Sequence, residues 1–321
     1  AYDGDGDVPG GVSDYWVKGK DGAMFDYSGG ITGENDAIIT DVWVDPNNGV
    51  NEGNIIGDIN NPFLTIDYAI SMVYSINSDN PVIIYVVGTI NSDTESFPII
   101  ISSSVTIHGF EGNATLDAGG NSTVLLFENV DYSTVIRNLT ITGGNNTDNW
   151  GGGGIYCIYA DPTIEEVSIV GNNSSNGGGI YCNHSSPTLR NVTISNNDAT
   201  NSAGGVYCNF SNPILSAVEI SNNIANGHAG GIYVGSESSI NFYTGEISAN
   251  TAISGNGGGI IFESSYISEV NGVTISGNSA GMSGGGVYIN NSEPEFENVI
   301  IDNNSTPGHG GGIYLNSSNS T

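Results

Sequence analysis

The chain has 321 residues, with 34 acidic and four basic side chains and a formal charge of −30. A field of that sign disfavours nucleic acid and anionic membrane surfaces as partners. No run approaches the roughly 18 consecutive apolar residues of a membrane-spanning helix, so membrane insertion is not expected.

Residues 1–40 are rich in Gly and Asp and read as an N-terminal extension outside any repeat. Asp3, Asp5 and Asp7 alternate with Gly like the start of a calcium loop. Val8, however, stands where such a loop needs Gly, and no Glu follows at its twelfth position. Two readings stay open: a calcium site, calcium being the one cofactor the sequence suggests, or a flexible acidic lead-in. Tyr15, Trp16, Val17, Lys18 and Lys20 combine apolar side chains with both lysines of the chain, a segment suited to dock as an added strand. No charged-then-apolar leader opens the chain, and Ala1 reads as a mature terminus left by secretion.

Residues 41–80 form an entry segment. Asn61 followed by Pro62 is a helix start signal, and Phe63, Ile66, Ala69, Ile70 and Val73 would share one face. Together they predict a helix over about residues 62–74 that covers the open N-terminal end of the repeat region. Val82 to Val87 reads as the first buried strand.

Residues 81–321 read as one elongated unit. Within it a small-residue triplet ending in Gly-Gly recurs before Ile155, Ile180, Val206, Ile232, Ile260, Val287 and Ile313, at steps of 25 to 28 residues. Such a period with Gly at the corners defines a solenoid whose coil is one lap of three short strands. Tyr156, Tyr181, Tyr207 and Tyr233 follow those positions and alternate outward. Cys157, Cys182 and Cys208 come next and return inward, where a buried thiol ladder competes with a disulfide plus one odd cysteine. In the coil from Gly177, Leu189, Val192 and Ile194 face in, and the broken alternation between Leu189 and Val192 marks a corner. An Ile-x-x-Asn pattern closes the lap at Asn172, Asn197, Asn223, Asn250, Asn278 and Asn304, which can hydrogen-bond amide to amide along the axis.

This arrangement resembles the single-stranded right-handed parallel β-helix of the pectate-lyase-like superfamily. Its Gly-Gly-x-Ile and Ile-x-x-Asn are similar to the repeats of polymorphic outer-membrane proteins and related surface adhesins, with Ile here in place of that family's Phe. The resemblance covers about residues 80 to 321. It implies an all-β right-handed solenoid and an extracellular or cell-surface setting for a secreted protein.

β-helix lyases of that superfamily use a basic residue near bound calcium, and its glycosidases place several carboxylates along one groove. Arg137, Glu165, Arg190, Ser216, Tyr243, Asn271 and Glu297 share one column, and the alternating signs of the first three read as a surface charge ladder. The four histidines fall in unrelated columns, so no general acid or base set emerges. The expectation is a non-catalytic structural or adhesive surface protein. A polysaccharide-active enzyme or a carbohydrate-binding module is the alternative. The tyrosine column Tyr156, Tyr181, Tyr207 and Tyr233 serves either as cross-rung packing or as a platform for host or cell-surface glycans. Asn183, Asn209, Asn290 and Asn316 are glycosylation sequons expected in accessible turns. The last coil opens at Ile313 and Leu315 and stops before its second strand, so the chain is either a fragment or has that end covered by a neighbour. The second case predicts a head-to-tail homopolymer joining those residues to the N-terminal segment.

Overall fold

The computed structural model describes residues 41–52, 57–73, 81–112, 114–147 and 151–316, together with the backbone of Trp16–Lys18 and Met24–Asp26. An apolar pattern recurring every coil can bury its inward half only by stacking lap on lap. The side chains do so in register: Ile155, Ile180, Val206, Ile232, Ile260, Val287 and Ile313 pair parallel on successive rungs. They belong to a sheet of nine strands, one per coil. A second sheet of 16 strands wraps round the next corner. The result is a parallel β-helix.

The corner between Leu189 and Val192 is made by Asn191, whose φ is 53°, and the same left-handed step recurs at Asn138, Glu166, Ala217, Thr244, Gly272 and Asn298. One left-handed residue turns the chain without breaking the ladder, which explains the lost alternation. In three coils the strands on either side of it run together, as in Ile214–Ser221. Beyond the three strands of each lap, a fourth short one forms after the asparagine, as at Asn173–Asn176 and Asp198–Ser202. These fourth strands make their own six-stranded sheet.

The Gly-Gly pair is required by approach as much as by backbone angle. A Cβ on Gly178 would lie 2.5 Å from the Asp198 carbonyl oxygen and 2.6 Å from that of Gly204. Only the first small residue of the triplet is left-handed, at φ 62° for Gly177 and 58° for Ala203.

The entry segment departs from expectation in two respects. A strand precedes Val82: β3 (Asp41–Val44) pairs parallel with β4 (Val82–Val86) and buries Val42 and Val44, so the core starts in the first lap of the entry segment. The helix α1 spans Ile66–Met72, and its cap is Thr65, whose hydroxyl accepts from the Tyr68 N–H at 3.2 Å. Asn61 does not cap it. Asp58 Oδ1 holds the N–H groups of Asn60 and Asn61, and Phe63 pairs with the sheet through Trp43, so the helix begins only past Phe63. Ile66 and Ala69 are buried, and α1 packs on β3, β4 and Ile99–Ile101.

Upstream, β1 (Trp16–Lys18) and β2 (Met24–Asp26) pair antiparallel as a separate two-stranded sheet.

Candidate functional site

A solenoid offers chemistry only through its outward columns, the turns between its faces and its ends. The asparagine column forms one continuous inward ladder. Asn197 Nδ2 donates to Ile169 O and to Asn223 Oδ1, both at 3.0 Å, while Asn197 Oδ1 accepts from the backbone N–H and the Nδ2 of Asn172, again at 3.0 Å. The pattern repeats through Asn250 and Asn278 to Asn304. Gly144 N–H supplies the first rung to Asn172 Oδ1 at 2.9 Å. These amides bind their own chain.

A second ladder, of serines, is hidden in the sequence because Ser is common in every turn. Ser185 Oγ accepts from Ala160 N–H, Ser211 Oγ from Ser185 N–H, and Ser238 Oγ from Ser211 N–H, at 3.0 to 3.1 Å. Ser185, Ser211 and Ser292 are also the third residues of the sequons at Asn183, Asn209 and Asn290, so turn architecture accounts for those triplets. The sequon asparagines end strands instead of lying in open turns. Asn209 Nδ2 donates to Asn183 Oδ1 at 3.1 Å and Asn316 Nδ2 to Asn290 Oδ1 at 3.0 Å.

Cys157, Cys182 and Cys208 stack on adjacent rungs, buried and unbridged. The hydrogen bond each makes with Cys182, together with burial, holds the thiols of Cys157 and Cys208 well above the ordinary range.

The tyrosine column is covered more than an outward position suggests. Tyr181 is buried and Tyr156, Tyr207 and Tyr233 are half-buried. Tyr156 meets Tyr181 edge-on at 5.4 Å; Tyr181, Tyr207 and Tyr233 stack at 5.0 and 4.7 Å with planes 7° and 4° apart. Burial pushes their phenol pKa values up, and at Tyr233 a hydrogen bond to the Glu263 carboxylate adds to it. From Tyr181 to Tyr233 the facing sides of successive rings are taken up by one another.

The arginine column has the expected register, Arg137 against Glu165 against Arg190. Among the described residues, however, no ion pair joins them. At the exposed Arg190 a long side chain loses more rotamer freedom than a screened pair returns. His108 stands in the arginine column: it pairs with Arg137 one rung earlier, and Tyr85 and Trp43 continue that column. Trp43 stacks on Tyr85 at 4.7 Å, and Tyr85 tilts against His108 at 5.2 Å. His108 Nε2 lies 3.0 Å from Asn138 Nδ2, while His108 Nδ1 and Arg137 Nε are buried without partners. Burial and the Arg137 guanidinium push the imidazole pKa down, against Glu166. Its sequence signal is weak because His108, Tyr85 and Trp43 lie before the first Gly-Gly triplet, which sets the alignment of the later coils.

Ile313 and Leu315 are exposed and, with Ile267, Ile289, Pro294 and Phe296, line a groove of about 300 Å³ rimmed by Glu293 and Glu295. Asp3, Asp5, Asp7, Tyr15 and Lys20 lie outside the described residues. Trp16, Val17 and Lys18 form β1, paired with β2. Among the described residues no group of three His, Cys, Asp or Glu could hold a metal ion, and no helix is long and apolar enough to cross a membrane.

A third aromatic feature sits in the turn after the Asn183 and Asn209 positions. Tyr159 stacks on His184 at 4.8 Å and His184 on Phe210 at 4.7 Å. All three are exposed. Its sequence signal lies in the turn just beyond the Ile, Tyr and Cys columns.

The chain is matched over residues 190–321 by the family model for the right handed beta helix region. No curated protein and no solved structure matches it. The molecule is a right-handed parallel β-helix repeat protein.

Proposed function

We propose that this protein is a non-catalytic structural or adhesive component of an extracellular or cell-surface layer. The observation that carries the reading is the fate of its polar columns. Asparagine and serine ladders bind the chain to itself from rung to rung, giving an extended body whose distinctive residues serve cohesion. The strong negative charge favours solubility and repels like-charged surfaces. Incubation with a panel of neutral and acidic polysaccharides tests it: the expected outcome is no release of products, and sustained turnover overturns the reading.

A polysaccharide-active enzyme is the second reading, favoured by His108 standing beside Arg137 with Asn138 and Glu166 at the same corner. Turnover that disappears in Arg137→Ala, with the thermal transition unchanged, would establish it. Head-to-tail association is a further part of the structural proposal. The only two lysines, Lys18 and Lys20, are complementary in charge to the Glu293 and Glu295 rim of the apolar groove at Ile313 and Leu315. Sedimentation velocity and electron microscopy test this, and a concentration-independent monomer that deletion of residues 1–40 leaves unchanged sinks it.

A further inference from the structure

Four Tyr or Phe side chains among the described residues are largely exposed: Tyr132 at 78%, Tyr159 at 58%, Tyr266 at 57% and Phe210 at 39%. All four belong to one turn of the solenoid, the one leading from the nine-stranded sheet into the larger sheet, and exposed His184 lies there too. Tyr159, His184 and Phe210 stack on three successive rungs, a continuous row of about 10 Å at the rung spacing of parallel strands, with Tyr132 in the coil before it and Tyr266 beyond the ring-free turn 235–240.

Local preference does not explain the rings. The first turn position is left-handed in coil after coil, with φ 55° at Asn129, 49° at Tyr159, 51° at His184, 50° at Phe210 and 48° at Asn291. Asn accepts that conformation readily and bulky side chains do not. Asn129 and Asn291 open and close the column, Glu237 (φ 55°) and Ser264 (φ 51°) fill two of its later coils, and rings fill three successive coils where solvent reaches them. An outlier maintained in three successive coils points to use.

We infer that this turn binds a neutral glycan chain lying along the solenoid axis. The direction of the row along the axis suits an extended polymer laid across its three rungs. The rings cover one another's faces in part, as those of the tyrosine column do, but here all three residues stay exposed and present ring edges to solvent. Fixed polar groups flank them. His184 Nδ1–H donates to Asn183 Oδ1 at 3.0 Å, which leaves Nε2 as an acceptor for a hydroxyl. On the other side Asp161 Oδ1 accepts from Ser186 N–H, Ser186 Oγ from Asn212 N–H at 3.3 Å, and Asn212 Oδ1 from Ser239 Oγ–H at 2.8 Å.

A peptide strand cannot add here, because the turn N–H groups already bond the next rung: Tyr159 N–H to Asn183 O and His184 N–H to Asn209 O, both at 3.0 Å. Charge excludes acidic glycans, since Glu128, Asp161 and Glu237 edge the stripe and none of its turn segments holds Lys or Arg. The site differs from the column of Tyr156 to Tyr233, whose members are buried or half-buried.

The inference gives the adhesive part of the proposed function a ligand class and rests on that reading only for its biological setting. Its test is retention of the full-length protein on neutral and uronate-containing glycans, followed by titration against the best neutral oligosaccharide. Tyr159→Asn and Phe210→Asn remove rings while placing the residue that the same turn already accepts at 129 and 291, so folding is preserved. The expected result is binding to neutral glycans only, weakened at least tenfold in either variant, with His184→Asn intermediate and Tyr207→Phe unchanged. Absence of binding to every neutral glycan overturns the inference, as does binding that both Asn variants leave intact. Either failure leaves the structural reading standing, whereas turnover of a bound glycan would end the non-catalytic reading and leave the stripe in place.

Discussion

At the scale of single residues, the stability of the solenoid resides in groups that have no partner other than their own repeat. Asn223 is fully buried and makes four ladder bonds: Nδ2 to Ile194 O and Asn250 Oδ1, and Oδ1 from the N–H and Nδ2 of Asn197. Asn223→Ala leaves the Asn197 N–H without its partner in a dry corner and takes one bond each from Ile194 O, Asn197 Nδ2 and Asn250 Oδ1, the last two keeping Ile169 O and the backbone N–H of residue 223. Each unsatisfied group costs about 1–3 kcal/mol, so a loss of about 3 kcal/mol or more is expected in urea unfolding. Asn304→Ala, at a half-exposed rung where water can substitute, should cost distinctly less. The glycines supply a matched pair. Gly178→Ala drives a Cβ onto two backbone oxygens and should destabilise by about 2 kcal/mol, in the range of overpacked cores. At Gly311 the nearest atom, Asn304 O, is 3.2 Å away, and Ala should be nearly neutral. Equal melting temperatures for the two alanine variants would contradict this account.

At the scale of elements, the sequence was readable wherever one residue type filled a column and unreadable where the chain left the period. The inward Ile and Val positions, the corner after Leu189 and the asparagine ladder follow from alternation and spacing alone. The helix start does not, because Asn61-Pro62 is a genuine local signal overridden by pairing of Phe63 with the sheet. The contact that seats α1 comes from a distant loop: Glu95 Oε2 accepts from the N–H of Ile66 at 2.5 Å and of Asp67 at 3.4 Å. Burial raises the Glu95 pKa to about 7, the Ile66 N–H opposes the shift, and neighbouring Asp67 adds to it. A carboxyl whose folded pKa exceeds its unfolded value of 4.5 favours folding in its protonated form. That stabilisation is complete below pH 4.5 and is lost as pH rises through 7. Hydrogen exchange of the α1 amides should therefore be slower at pH 5.5 than at pH 8 after correction for intrinsic rates, and Glu95→Gln should abolish the difference. An unchanged pH dependence in the variant would assign the effect elsewhere.

At the scale of the whole molecule, stability is a sum of rungs and their interfaces, so resistance to attack should be uniform along the interior coils. The candidate sites followed a different logic from the fold. The arginine column was legible, but the alignment of His108 with it and the exposed aromatic turn depend on which coils share a column across irregular connections, and a single column of one sequence carries too few residues to mark itself. Proteolysis tests the continuity that all these columns require. Trypsin has four targets, Lys18, Lys20, Arg137 and Arg190. Arg190 ends the strand Thr188–Arg190 and is exposed, which makes it the most reachable of the solenoid sites. Its side chain alone is not enough, because a protease needs an extended stretch of backbone freed from the ladder. Arg190 O accepts from Glu166 N–H at 2.9 Å, and Asn191 N–H donates to Ser216 O at 3.1 Å, so the scissile peptide is tied to the rung on each side. Local opening would break both interfaces together and approach the free energy of unfolding the coil stack. Native digestion followed by intact mass should therefore show cleavage confined to Lys18 and Lys20. The rate at Arg190 should rise only in parallel with global unfolding in urea. Rapid native cutting after Arg190 would mean that the central coils open independently, and the picture of one continuous packed solenoid would fail.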